Sequence, residues 1–394
     1  VVSIAKKNKL LFSILFLFCL LAIISKPVTA NRLDFELKSE SAVLMEFNSG
    51  RILYEKKADK KLSPASITKI MTMLLVMEAL EEDRIKLTDQ IMVSEHAASM
   101  GGSQIWLEPG EKMELEELLK AVAIVSANDA CVAIAEYLCG REEEFIEQMN
   151  LKAKELGMKN TKFYNTNGLP IKGDKEKGNY TTAHDIALMT KELLQYPQIL
   201  NYTSVWIDHL RDGDSFLRNT NKLVRFYEGA DGVKTGYTSE AEFCLSATAK
   251  KDGLRFISVI MKAPSSQVRF EESKLLLSSA FNIYRSLLVV KADEIIGEIK
   301  VFKGEQQEVT AVSEKGLTVS FLKGEENKLL KRTILKQEVT APIKKGDKIG
   351  KILVFKGEER IGSVNLVAQD NVKKASFLKI ITNLFTKFVS NLIV

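Results

Sequence analysis

The chain has 394 residues, 45% hydrophobic and 27% charged, with a formal net charge of +5. That balance excludes a wholly disordered or collagen-like protein, and the length points to two domains. The basic surplus sits at the ends: residues 1–30 and 371–394 each hold four Lys and no acid, which leaves a slightly acidic body and argues against a nucleic-acid partner.

In chain order, Lys6, Lys7 and Lys9 precede an apolar run from Leu10 to Ile24. The run is short for a bilayer span and suits a secretory signal, with Val28-Thr29-Ala30 supplying small residues for cleavage before Asn31. The expectation is a signal peptide over 1–30 and an exported protein at the outer face of the cytoplasmic membrane or in the wall space. Cys19 follows Phe18, a poor lipoprotein signal. Cys131, Cys139 and Cys244 remain, an odd count that gives no disulfide framework, so buried thiols are expected.

Ala42–Phe47 and Arg51–Glu55 flank Asn48-Ser49-Gly50 and read as a hairpin. From Ser66 a strongly apolar helical pattern runs to about Asp83. Two further helices span 114–139, broken near Ser126-Ala127-Asn128-Asp129, and helices follow at 141–156 and 181–195. Residues 160–180 are rich in turn-formers and read as a loop. Strands return over 230–262, then a helix over about 268–286.

Near residue 290 the texture changes. Ile296–Glu305 and Ile349–Glu358 match at eight of ten positions, and Phe321-Leu322-Lys323-Gly324-Glu325 echoes their ending. Each unit is a short β-run closed by a Lys-Gly turn, so 31–290 and 291–370 read as a larger domain and a small β-domain. The β-domain shows no cluster of groups suited to catalysis. From Phe377 to Val394 apolar residues recur at helical spacing with Lys opposite, so 371–394 reads as an amphipathic helix suited to an anionic membrane surface.

Three histidines, His96, His184 and His209, lack any catalytic context, and no phosphate-binding or zinc motif occurs. One nucleophile arrangement needs no histidine: Ser-x-x-Lys, Ser-x-Asn and Lys-Thr-Gly, in that order. They are Ser66-Ile67-Thr68-Lys69, Ser126-Ala127-Asn128 and Lys234-Thr235-Gly236. Ser-x-x-Lys occurs four times, but Ser66 alone starts a buried helix and precedes the other two motifs. At i and i+3, Ser66 and Lys69 share a face, so Lys69 can take the Ser66 proton if burial or a nearby cation lowers its pKa. Ser126 can relay a proton to the leaving group and Asn128 can orient a substrate amide. Lys234 and Thr235 suit a substrate carboxylate, and Gly236 lets the strand approach closely. The backbone N–H groups of Ser66 and Tyr237 would hold the oxyanion.

The sequence resembles the serine-type D-alanyl-D-alanine carboxypeptidases, or low-molecular-mass penicillin-binding proteins, most of all those of spore-forming Gram-positive bacteria. The likeness rests on Leu62–Thr72, Ser126–Cys131 and Asp231–Thr238, with Gly101–Gln104 and Asn219–Leu223 in support. It covers about 35–370 together with the leader and the tail. It implies an α/β (α+β) penicilloyl-serine transferase fold, in which an antiparallel sheet flanked by helices precedes a β-rich domain. It further implies the D-Ala-D-Ala end of the peptidoglycan stem pentapeptide as substrate, β-lactams as covalent inhibitors, and no metal or organic cofactor. One position departs: Glu242 stands where the family pattern has Gly. The expected consequences are a backbone cost and competition for the charge of Lys234.

Two rivals have less support. A class A β-lactamase needs a deacylating Glu, and Pro197-Gln198-Ile199-Leu200-Asn201 has Pro at that place. A non-catalytic wall-binding scaffold is favoured only by Glu242.

Overall fold

The computed structural model describes residues 35–171 and 178–382. The signal peptide expected over 1–30 and half of the tail, residues 383–394, lie outside the described residues.

Strand β1 (Ser41–Glu46) pairs with β2 (Ile52–Lys56) across the Asn48-Ser49-Gly50 turn. Helix α1 (Lys69–Glu81) follows a single 3-10 turn, Ala65–Thr68. The helix is apolar on every side because nine of its thirteen residues are buried, Lys69 among them. Helices α2 (Leu115–Ile124) and α3 (Asn128–Cys139) are separated at Val125-Ser126-Ala127, and α4 (Glu142–Glu155) and α5 (Ala183–Leu193) complete the helical layer. Strands β3 (Ala230–Thr238), β4 (Glu242–Lys251) and β5 (Leu254–Ala263) then lead into α6 (Ser266–Ile283), capped by Ser265 Oγ accepting from Val268 N.

All pairings of the five-stranded sheet are antiparallel, in the order β2-β1-β5-β4-β3. Nine of ten residues of β5 are buried, so both its faces are covered, and α5 and α6 pack on it. Strand β3 is left at the edge of the sheet, where the turn carrying Ser66 packs against it. Sequence reading missed two short hairpins, Gln90–Met92 with Lys112–Glu114 and Ile207–Leu210 with Ser215–Arg218. Strands of three or four residues are too short for a periodic pattern to show.

The β-rich part opens at Tyr284, ahead of the texture change near residue 290. There α6 passes directly into Tyr284–Val290, which pairs with Leu317–Leu322. A six-stranded sheet follows, in which both repeat units are strands: Ile295–Phe302 and Lys348–Lys356. A helix starts at 377 with Phe377 and Leu378 exposed, and residues past 382 lie outside the described residues. No described helix is long and apolar enough to cross a membrane. Cys131 and Cys244 are buried free thiols and Cys139 is half-buried.

At Glu242 the backbone has φ = 50°, the left-handed region that favours glycine. Its carboxylate lies 4.0 Å from Lys262 Nζ, so it is directed to another cation than Lys234. A side chain in this region costs about 1–2 kcal/mol, whereas the half-exposed ion pair is worth at most about 1 kcal/mol. We therefore predict that Glu242→Gly raises the thermal midpoint by roughly 2 °C and leaves acylation unchanged. Melting curves and penicillin acylation rates of the two proteins check this; an unchanged or lower midpoint shows that the strain is absorbed elsewhere.

Candidate active site

The 3-10 turn sets Ser66 three residues before the start of α1, and Ala65, just ahead of it, has φ = 48°. Lys69 is fully buried at the first position of α1. Its Nζ donates to Ser66 Oγ at 3.1 Å, to Asn128 Oδ1 at 2.6 Å and to the Asn167 carbonyl at 2.8 Å. Those three acceptors match the three protons of an ammonium group. Burial nonetheless pushes its pKa down to about 8, opposed in part by Cys131 and Asp129. A lysine so placed supplies neutral amine near neutral pH within reach of a serine hydroxyl.

Asn128 is engaged at both ends, since its Nδ2 also donates to the Gly101 carbonyl at 2.6 Å. Its main-chain N–H reaches Ser103 O at 2.7 Å, so it ties the Gly101–Gln104 segment to the site. The visible work of Asn128 is thus to seat Lys69. Ser126 has φ = 68°, and its buried Oγ has no hydrogen-bond partner among the described residues. Left-handed backbone and an unsatisfied hydroxyl each cost on the order of 1–3 kcal/mol, and such costs gather where chemistry is done.

The third motif lies on β3. Lys234 is 1% exposed, and its pKa is held well below the usual lysine range by burial, then by Lys69 and Arg269. Strand β3, which carries Lys234, packs against the turn that carries Ser66. An anionic ligand beside Lys234 would favour its charged form. Thr235 Oγ1 donates to Thr220 Oγ1 at 2.7 Å. At Gly236 a Cβ would stand 2.7 Å from Pro64 O and 3.2 Å from Ala65 Cβ. Glycine here lets β3 lie against the turn that carries Ser66. Tyr237, next along this edge strand, keeps its ring exposed and tilted against Phe243, with centroids 4.6 Å apart.

The other wall is the Asn165–Gly168 segment. Gly168 has φ = 85°, and a Cβ there would stand 1.8 Å from the Ala65 carbonyl oxygen. The turn that carries Ser66 is therefore gripped between two glycines, 168 and 236. Sequence reading missed three groups that shape the site. The Asn167 carbonyl carries no side-chain signature, and Thr220 lay unremarked inside Asn219–Leu223. Arg269 of α6 donates to Gly236 O at 3.0 Å and Cys244 O at 3.2 Å, bracing the β3–β4 pair, yet belongs to no motif.

Residues 26–265 match the family model for D-alanyl-D-alanine carboxypeptidase peptidases, more than half the chain. The chain belongs to that family. Residues 284–374 match the model of the penicillin-binding protein 5 C-terminal domain. D-alanyl-D-alanine carboxypeptidase DacF of Bacillus subtilis is 45% identical, over 86% of this chain and 87% of the relative. DacC of Escherichia coli is 35% identical, over 85% and 84%. Penicillin-binding protein 5 from Haemophilus influenzae superposes with a TM-score of 0.70 at 30% identity, covering 87% of this chain and all of that one. Penicillin-binding protein D2 from Listeria monocytogenes, solved in its ampicillin-bound form, gives a TM-score of 0.57 at 30% identity, over 63% of this D-Ala-D-Ala carboxypeptidase family member and 99% of its own chain.

Proposed function

We propose that the protein removes the terminal D-alanine from peptidoglycan stem peptides through an acyl-enzyme on Ser66. The observation that carries this is the fully buried Lys69 amine, 3.1 Å from Ser66 Oγ with its pKa lowered to about 8. Neutral Lys69 takes the Ser66 proton as Oγ bonds to the penultimate D-Ala carbonyl carbon. The backbone N–H groups of Ser66 and Tyr237 hold the oxyanion. The C–N bond then breaks, and Ser126 passes a proton to the departing amine of D-alanine. Lys234 and Thr235 bind the terminal carboxylate. Water, activated by the same lysine, releases the shortened peptide.

Two assays on the full chain test this. Free D-alanine should appear when a D-Ala-D-Ala-ended peptide is supplied. Benzylpenicillin should form an adduct that mass mapping places on Ser66 alone and that lasts minutes or longer. Among the described residues no carboxylate is hydrogen-bonded to Ser66 or Lys69 to speed the attacking water. Labelling that survives Ser66→Ala overturns the mechanism, and penicillin turnover near a typical enzyme rate of ~10 s⁻¹ favours the β-lactamase reading.

The leader and the lysine-faced tail support an exported protein held at a membrane surface. On that reading, removal of residues 371–394 moves the protein from washed membranes to the soluble fraction and leaves peptidase activity intact. Retention of the truncated form in the membranes counts against the anchor.

A further inference from the structure

Glu142 belongs to none of the motifs and stands at the start of α4, with its side chain 12% exposed. One carboxylate oxygen, Oε1, accepts from both donors of Thr166: the main-chain N–H at 3.1 Å and Oγ1 at 2.7 Å. The other, Oε2, lies 2.8 Å from Nε2 of the exposed His96. Thr166 is wholly buried, and its carbonyl is held from another side, by Thr72 Oγ1 at 3.0 Å and Cys131 Sγ at 3.2 Å. Every polar group of this residue is therefore fixed. The next carbonyl along the chain, Asn167 O, is the one that accepts from Lys69 Nζ at 2.8 Å. The residue after that, Gly168, presses on the Ala65 carbonyl beside the nucleophile.

We propose that Glu142 is a positioning residue for acylation: its carboxylate anchors Thr166 and so sets the Asn167 carbonyl against which Lys69 is aimed at Ser66. This rests on Lys69 serving as the base for Ser66. A carboxylate suits the task because one of its oxygens can accept two donors at once, and charged acceptors bind donors more firmly than neutral ones. Three hydrogen bonds also offset the cost of burying it. The charged and titratable groups facing this region are His96, Glu136 and Glu143 on the surface side and Lys69, Cys131 and Asp129 on the interior side.

The test is the pH dependence of Ser66 acylation by benzylpenicillin, in the full chain, for wild type, Glu142→Ala, Glu142→Gln and Thr166→Val. Glu142→Ala should acylate roughly ten- to a hundredfold more slowly on its high-pH plateau, the scale of a small misplacement in an active site. Its rising limb should move to lower pH, because a displaced Asn167 carbonyl no longer favours the ammonium form of Lys69. Glu142→Gln keeps an oxygen for both Thr166 donors and should stay within about threefold of wild type. Thr166→Val should resemble Glu142→Ala. If Glu142→Ala does not fold, the contrast between Glu142→Gln and Thr166→Val decides. A wild-type plateau and limb in Glu142→Ala overturn the proposal. So does a lowered melting temperature with an unmoved limb, which marks a merely structural residue, and so do Glu142→Gln and Thr166→Val slowed alike. Wild-type protein that takes no label on Ser66 instead overturns the functional reading beneath it.

Discussion

Acylation of Ser66 should rise with pH, half-maximal near pH 8, and Lys69→Met should slow it by roughly 10²–10⁴-fold, the usual reach of a general base. The sign follows from which form reacts. The pKa of Lys69 is lowered to about 8, chiefly by burial. Below that value the amine is mostly protonated and cannot accept the Ser66 proton, while above it the neutral form dominates. The rate therefore climbs through pH 7–9 and levels off beyond. Lys234 acts in the opposite direction, because the free protein loses that cation as pH rises. Stopped-flow acylation at saturating benzylpenicillin separates the two, since the drug's carboxylate keeps Lys234 charged while Lys69 titrates. A flat profile from pH 6 to 9, or a Lys69→Met protein that acylates within tenfold of wild type, removes Lys69 from the mechanism.

Among the described glycines, Gly168→Ala should be the most damaging exchange. The added carbon would stand 1.8 Å from Ala65 O and 2.4 Å from Ala65 C, which are backbone atoms with no rotamer to yield. The position also has φ = 85°. Overpacking costs about 1–3 kcal/mol and the left-handed backbone about 1–2 kcal/mol more. Relief can come only by moving the turn that carries Ser66 or the segment that seats Lys69. The expected result is a melting temperature lowered by several degrees and acylation slowed by roughly a hundredfold or more. Gly178→Ala is the control, since no described residue lies within 4 Å of its added carbon. A Gly168→Ala protein with wild-type melting and acylation would show that the two walls of the site are not rigidly packed.

The parts of this architecture that were legible in the sequence are those with local chemistry. Ser66 and Lys69 are three apart on one turn, so their meeting needs only helical geometry. The hairpin at Asn48-Ser49-Gly50 and the break at Ser126 were readable because turn-formers interrupt apolar periods there. The Asn167 carbonyl was not, because a main-chain oxygen leaves no mark in residue identity and reaches Lys69 only through the tertiary fold. Arg269 was hidden for a related reason: a lone arginine in a helix reads as a solvated surface charge, whereas here it is buried under the β3–β4 pair. Asn128 was read as a substrate contact, and the structure adds that both ends of its amide serve the site's own geometry. Glu242 was the departure from pattern, and its positive φ gives that departure a physical meaning.

The left-handed residues around the site also forecast how the protein would respond to selection in the laboratory. Ala65, Ser126 and Glu242 all hold φ between 48° and 68° without being glycine. A library sorted for heat resistance alone should enrich glycine at all three, because each exchange relieves torsional cost. Sorted for heat resistance and catalysis together, the three positions should part company. Position 242 carries no reacting group and is free to change. Position 65 precedes the nucleophile, where added flexibility loosens the aim of Ser66. Position 126 should resist, since its hydroxyl vanishes with the side chain. The protein's reserve of easily gained stability thus lies at the rim of its catalytic machinery, and only the part of it at residue 242 can be drawn on without loss of turnover.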